Sequence, residues 1–194
     1  MNPPTACSLI TLTLALALSS CSPVTTYRVP AETAFPPPSA ARVLYEWFDD
    51  AGPGPVSIRI NRATQRATFQ RGGRWIGWSY VATGKPSHPT PAGTFRITEK
   101  IADKHSNRYG WIEDAAGNIV DGDAKYNDHV PPGCRYRPAP MPYWMRLTSY
   151  GIGMHAGTIP DPGHPASHGC IRLPRKFAPV LFDTVAVGTH VTIY

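Results

Sequence analysis

The segment from Met154 to Pro174, MHAGTIPDPGHPASHGCIRLP, holds His155, His164, His168 and Cys170 in a run rich in Gly, Pro and Ala. Three chemistries draw on such residues. Three imidazoles and one thiolate supply the four N/S ligands of a structural zinc, although structural sites commonly pair their ligands on a turn and this spacing does not. An open catalytic zinc would add a carboxylate base, and only Asp161 is near, inside a Pro-Asp-Pro-Gly turn. In a second reading His164 and His168 face solvent and Cys170 is a small buried hydrophobe. In the third, Cys170 is a nucleophile with an imidazole base. A thiol of pKa about 8.5 is only a few per cent thiolate at neutral pH, and a neighbouring imidazole raises that fraction. Gly169 lets the backbone turn sharply, so that consecutive N–H groups can face a developing oxyanion, each donor being worth about 10²–10³ in rate. Spacing alone leaves open which histidine is the base.

The elements around this cluster read as mainly β. The 194 residues suffice for one domain with a core, and 22 prolines and 17 glycines favour short strands and turns over long helices. Val56, Ile58 and Ile60 alternate with Ser57 and Arg59 as in a half-buried strand. Ala67 and Phe69 mark a second strand, and Gly72-Gly73 a tight turn into the aromatic strand WIGWSYVATG. TPAGTFRITEK turns at Pro91-Ala92-Gly93 and enters another strand at Phe95 and Ile97. Residues 100–140, polar and punctuated by Gly and Pro, predict a long irregular excursion, with His88 and His105 as loop residues. YWMRLTSYGIGMH reads as one buried strand leading to His155. In PRKFAPVLFDTVAVG, Phe177, Val180, Leu181 and Thr184 have helical spacing, with Pro174 starting the helix, Gly188 ending the segment and Pro179 acceptable only in the first turn. THVTIY forms the last strand. No internal repeat or second linker interrupts residues 42–194.

The first 21 residues carry no Asp, Glu, Lys or Arg, and their apolar run from Leu9 to Leu18 is too short to span a bilayer. They read as a signal peptide, without the usual basic residue before the apolar run. Leu18-Ser19-Ser20-Cys21 resembles a bacterial lipobox, which makes Cys21 a candidate for lipidation and the membrane a partner through a lipid anchor. Residues 22–41, rich in Pro, Thr, Ala and Ser, have too few apolar side chains to order themselves and form a tether reaching roughly 60 Å at ~3.1 Å per residue. The formal net charge of +6 raises nucleic acid as a partner. Export and the scatter of the arginines argue against it, and a carboxylate-bearing polymer such as a cell wall fits better.

With these residues in view, SHGCIRL preceded by MHAGT resembles the active-site signature of the L,D-transpeptidase (YkuD) family. VATGKPSHPTPAGTFRI and MPYWMRLTSYGIGMHAG resemble further family segments, so the likeness spans about residues 54–194. It implies a β-sandwich with one or two short helices, no cofactor or metal, and action on peptidoglycan stem peptides in the periplasm or cell envelope. It makes Cys170 the nucleophile and His155 the general base, oriented by a backbone carbonyl. Ser167, His168 and Gly169 then shape the site, backbone N–H groups around Gly169 and Cys170 match the oxyanion hole, and Arg172 holds the loop or a substrate carboxylate. His-Ala-Gly-Thr stands where His-Gly-Thr is commoner, and His164 has no counterpart. Tyr143 and Trp144 are candidates for lining the substrate cleft, with a core role as the alternative. The reaction implied is acyl transfer from a tetrapeptide stem, and its rivals are an L,D-carboxypeptidase and a non-catalytic wall-binding lipoprotein. Cys134 either pairs with Cys170 or is a free thiol, and the free thiol is the expectation.

Overall fold

The alternation in Val56–Asn61 turns Val56, Ile58 and Ile60 into a core and leaves Arg59 outside. The structure, a computed structural model, describes residues 43–194; the signal-peptide, Cys21 lipidation and tether readings fall outside the described residues. In chain order its elements are strands β1 (Tyr45–Trp47), β2 (Val56–Asn61), β3 (Arg66–Arg71), β4 (Arg74–Tyr80), β5 (Gly93–Arg96), β6 (Glu99–Ile101) and β7 (His105–Glu113). There follow β8 (Ile119–Lys125), β9 (Arg135–Pro140), β10 (Trp144–Arg146), β11 (Gly153–Gly157), β12 (Ile171–Pro174), helix α1 (Ala178–Thr184) and β13 (His190–Ile193).

Three sheets result. The first has the order β1-β4-β3-β2-β13-β5, the second β12-β11-β10-β6 and the third β8-β7-β9. Gly72 and Gly73, with φ of 55° and 82°, make the β3–β4 turn in the left-handed conformation open to glycine. The final strand runs parallel to β2, pairing Val191 with Ile58 and Ile193 with Ile60. Inner residues of the first sheet, such as Ile58 and Phe69, meet Met145, Met154, Ile171 and Leu173 of the second in one core. The helix closes one end of it. Its cap residue Phe177 lies against Tyr45, Trp47 and Phe69 with ring centroids 4.9, 5.4 and 5.1 Å away. Burial of such a ring contributes about 1.5–3 kcal/mol. This is the mainly β architecture with one short helix among the described residues that the sequence predicts.

Three local expectations are corrected. Residues 100–140 are not irregular: β6 joins the second sheet, and β7, β8 and β9 form the third, with His105 opening β7. Most positions of β8 and β9 are exposed on both faces, so they lack an apolar period; ladder bonds and Glu113, which accepts from Trp111 Nε1, Arg135 and Arg137, hold them. YWMRLTSYGIGMH is a hairpin of β10 and β11, turned at Thr148–Gly151 where Gly151 has φ 99° and Thr148 Oγ1 accepts from Ile152 N–H. Pro174 ends β12 instead of starting the helix, which begins at Ala178 with Pro179 in its first turn. Val180 is exposed, leaving Phe177, Ala178 and Leu181 as the inward residues.

Candidate active site

Parallel pairing of β11 and β12 sets Met154 opposite Ile171, His155 opposite Arg172 and Ala156 opposite Leu173. Side chains alternate along each strand, so Met154, Ile171 and Leu173 enter the core while His155 and Arg172 share the other face. Cys170 stands one residue before β12 and two before Arg172, on that same face. All three border one cleft of about 600 Å³, whose other walls are the β10–β11 hairpin tip and β7 of the third sheet. The excursion of residues 100–140 is therefore a wall of the cleft.

A buried polar lattice holds the loop before Cys170. Ala82 and Arg172 exchange backbone hydrogen bonds at 3.1 and 2.9 Å, Lys85 N–H donates to the Ser167 carbonyl at 2.9 Å, and Ser167 N–H to the Thr83 carbonyl at 3.0 Å. Gln65 pins that segment from beneath, donating to Thr83 Oγ1 at 2.7 Å and accepting from Thr83 N–H at 2.7 Å. Thr90 Oγ1 accepts from Gly84 N–H at 2.8 Å and donates to the Gly169 carbonyl at 2.7 Å. Gln65, Thr83 and Thr90 escaped the reading of the sequence as site residues; Thr83-Gly84-Lys85 and Thr90-Pro91 entered it within the stretch VATGKPSHPTPAGTFRI that resembles a family segment.

Ser167 Oγ donates to the Cys170 carbonyl and accepts the Gly169 N–H at 3.1 Å, closing a tight turn. Gly169 supplies a φ of 111°, and a Cβ there would stand 2.9 Å from Ile152 Cδ1. Its N–H already has Ser167 as partner, so it would serve an oxyanion only after leaving that hydroxyl. Cys170 Sγ lies 3.6 Å from the Gly151 carbonyl at the hairpin tip, and burial raises its pKa above the ordinary thiol value. Cys134 and Cys170 are both unpaired thiols.

His155 is buried, and its Nδ1 lies 2.8 Å from the Ala156 carbonyl. A carbonyl only accepts, so the contact makes Nδ1–H the donor and leaves Nε2 as the free lone pair. Burial, with Arg172 and Arg175 adding positive charge, holds its pKa down at about 4. Imidazole and thiol are thus both neutral at pH 7. Trp144 is buried in the cleft floor, its Nε1–H donating to Glu99 at 3.0 Å and its ring 6.3 Å from His155. Tyr143 packs on Phe182 and the core instead, with φ 59°.

His168 also borders the cleft, but its contacts differ from those of His155. It stacks on Tyr109 at 4.6 Å, meets the ring of His88 edge-on at 5.0 Å, and reaches Asp123 with Nε2 at 2.6 Å, tying the third sheet to the loop. Exposed His164 pairs with Asp161 at 2.7 Å. Among the described residues no three His, Cys, Asp or Glu side chains gather as a metal site.

A profile of the L,D-transpeptidase catalytic domain, YkuD, matches residues 55–193, which include both sandwich sheets apart from β1, and the whole cleft. The chain belongs to the L,D-transpeptidase (YkuD) family. No curated protein sequence matches it significantly. Among solved structures, the L,D-transpeptidase from Mycobacterium smegmatis is 22% identical with a TM-score of 0.54, covering 72% of this chain and 58% of that one. L,D-transpeptidase 1 of Mycobacterium tuberculosis is 23% identical with a TM-score of 0.50, over 72% of this chain and 61% of its own. The catalytic domain of the Enterococcus faecium L,D-transpeptidase is 26% identical with a TM-score of 0.51, over 72% and 96%. The chain thus spans about three fifths of the mycobacterial chains and nearly all of the enterococcal catalytic domain.

Proposed function

We propose that the chain is a peptidoglycan L,D-transpeptidase in which Cys170 carries the acyl group and His155 moves the proton. The observation that carries this reading is the His155 Nδ1 to Ala156 carbonyl contact of 2.8 Å, which presents an unprotonated Nε2 in the cleft that Cys170 borders. Nε2 takes the thiol proton as sulfur attacks the carbonyl of the third, diamino acid residue of a tetrapeptide stem. The bond to the terminal D-alanine breaks, the proton leaves with its amine, and a thioester remains. An amine of a second stem, a D-amino acid or water then attacks the thioester and restores the thiol. With thiol and imidazole neutral beforehand, proton transfer accompanies attack. The signal-peptide and lipobox-like segments support a cell-envelope enzyme anchored through Cys21 and working at the reach of its tether.

Incubation of the full chain with tetrapeptide muropeptides, read by mass, tests the proposal. Release of D-alanine with a thioester on Cys170, absent in Cys170→Ala, is expected, as is acylation by a carbapenem. No release with any acceptor would overturn it. The ratio of cross-linked to trimmed stems distinguishes transferase from carboxypeptidase.

A further inference from the structure

The chain pairs its arginines with carboxylates over much of its surface. Arg71 meets Asp49 at 2.6 Å, Arg74 meets Asp50, and Arg135 and Arg137 meet Glu113 at 2.7 and 2.9 Å. The cleft departs from this. Lys104, Arg108, Arg172 and Arg175 border it, no Asp or Glu does, and among the described residues none of the four has a carboxylate partner. Arg146, also in the cleft, is already neutralised by Glu99 at 3.0 Å. Arg172 is the telling member. It is half-buried, its stem packs against Gly157, and desolvation works against its charge. A partly buried cation is ordinarily paired, and one left unpaired beside a nucleophile is set for an anion that arrives with the substrate.

Resting on the transpeptidase reading, we propose that these four cations make the cleft a carboxylate-selective donor subsite, distinguishing stems whose side carboxylates are free from stems in which they are amidated. Arg172 and Arg175 approach from β12 and the turn after it, Lys104 and Arg108 from β7 and the turn before it. A tetrapeptide stem with a free carboxylate on its acidic and diamino residues supplies charge for both sides. Its carboxamide counterpart has the same shape but leaves the half-buried Arg172 guanidinium unpaired. Discrimination of this kind exceeds what a pocket obtains from shape alone.

The test offers the full chain two synthetic tetrapeptide donors, one with free side carboxylates and one with both as carboxamides, and measures D-alanine release. The free-carboxylate donor is expected to have a kcat/KM about 10- to 100-fold higher, the range for charge-assisted hydrogen bonds. Arg175→Gln and Lys104→Gln, both changes outside the core, should each narrow that ratio, with the larger loss on the carboxylate donor. Raised salt should narrow it too. Equal kcat/KM for the two donors overturns the selectivity while leaving the transpeptidase reading intact. If neither donor releases D-alanine, the transpeptidase reading falls, and calorimetric binding of the same two peptides decides the selectivity: tighter binding of the carboxylate form upholds it, equal affinity overturns it.

Discussion

Thr90 Oγ1 donates to the carbonyl of Gly169 at 2.7 Å, joining residues 79 positions apart. The same oxygen accepts the Gly84 N–H, and Arg62 Nη1 donates to the Thr90 carbonyl at 2.9 Å. One buried hydroxyl thus connects the segment between β4 and β5 to the turn that presents Cys170.

Thr90→Val keeps the shape and strands two buried backbone groups, each costing about 1–3 kcal/mol when unsatisfied. A loss of about 2 kcal/mol in urea denaturation is expected, with slower acylation of Cys170 by a carbapenem. Thr90→Ser, which retains the hydroxyl, should stay near wild type in both.

Gly169→Ala combines a φ of 111° with a Cβ 2.9 Å from Ile152 Cδ1. The backbone strain amounts to about 1–3 kcal/mol, and the turn relieves it by moving the residue next to the thiol. Carbapenem acylation should fall by at least about tenfold, the equivalent of 1.4 kcal/mol in the barrier, while circular dichroism remains that of a folded β protein. Wild-type acylation rates would show that the turn tolerates a side chain.

Acid should destabilise the protein through His155. Its folded pKa of about 4 lies below the ordinary 6.5, so between those values the unfolded chain binds a proton that the folded one refuses. Stability from this residue is fully present above pH 6.5 and is lost as pH falls toward 4, a change of about 3 kcal/mol. Denaturation at a series of pH values should show that slope, and His155→Gln should remove it. Glu113, held at about 2 against an ordinary 4.5, continues the loss at lower pH in both proteins.

Alkylation of Cys170 by iodoacetamide should keep rising beyond pH 9, because burial raises the thiol pKa above its ordinary value. A plateau near neutral pH would reveal a preformed thiolate–imidazolium pair in its place. Cys7, Cys21 and Cys134 are to be replaced by Ser so that only one thiol reports.

Glu113→Gln should loosen the wall of the cleft selectively. The carboxylate joins Trp111, Arg135 and Arg137, so amide exchange should accelerate in β7–β9 and remain unchanged in β2, β3 and β13. KM for a stem peptide should rise more than kcat falls. Uniform acceleration across the chain would instead mark Glu113 as a general stabiliser.

The sequence by itself determined the sandwich strands whose apolar residues alternate, such as Val56–Asn61, because a half-buried strand writes its burial into a period of two. It also determined the Gly72-Gly73 turn and, through the resemblance of MHAGT and SHGCIRL, Cys170 and His155 as the candidate pair. Only the tertiary structure decided that β7–β9 form a sheet, since β8 and β9, exposed at most positions on both faces, carry no such period. It alone stacked His168 on Tyr109 and brought Thr90 to Gly169. Those outcomes rest on contacts between residues far apart in the chain, whose energy appears only when the sheets close on one another.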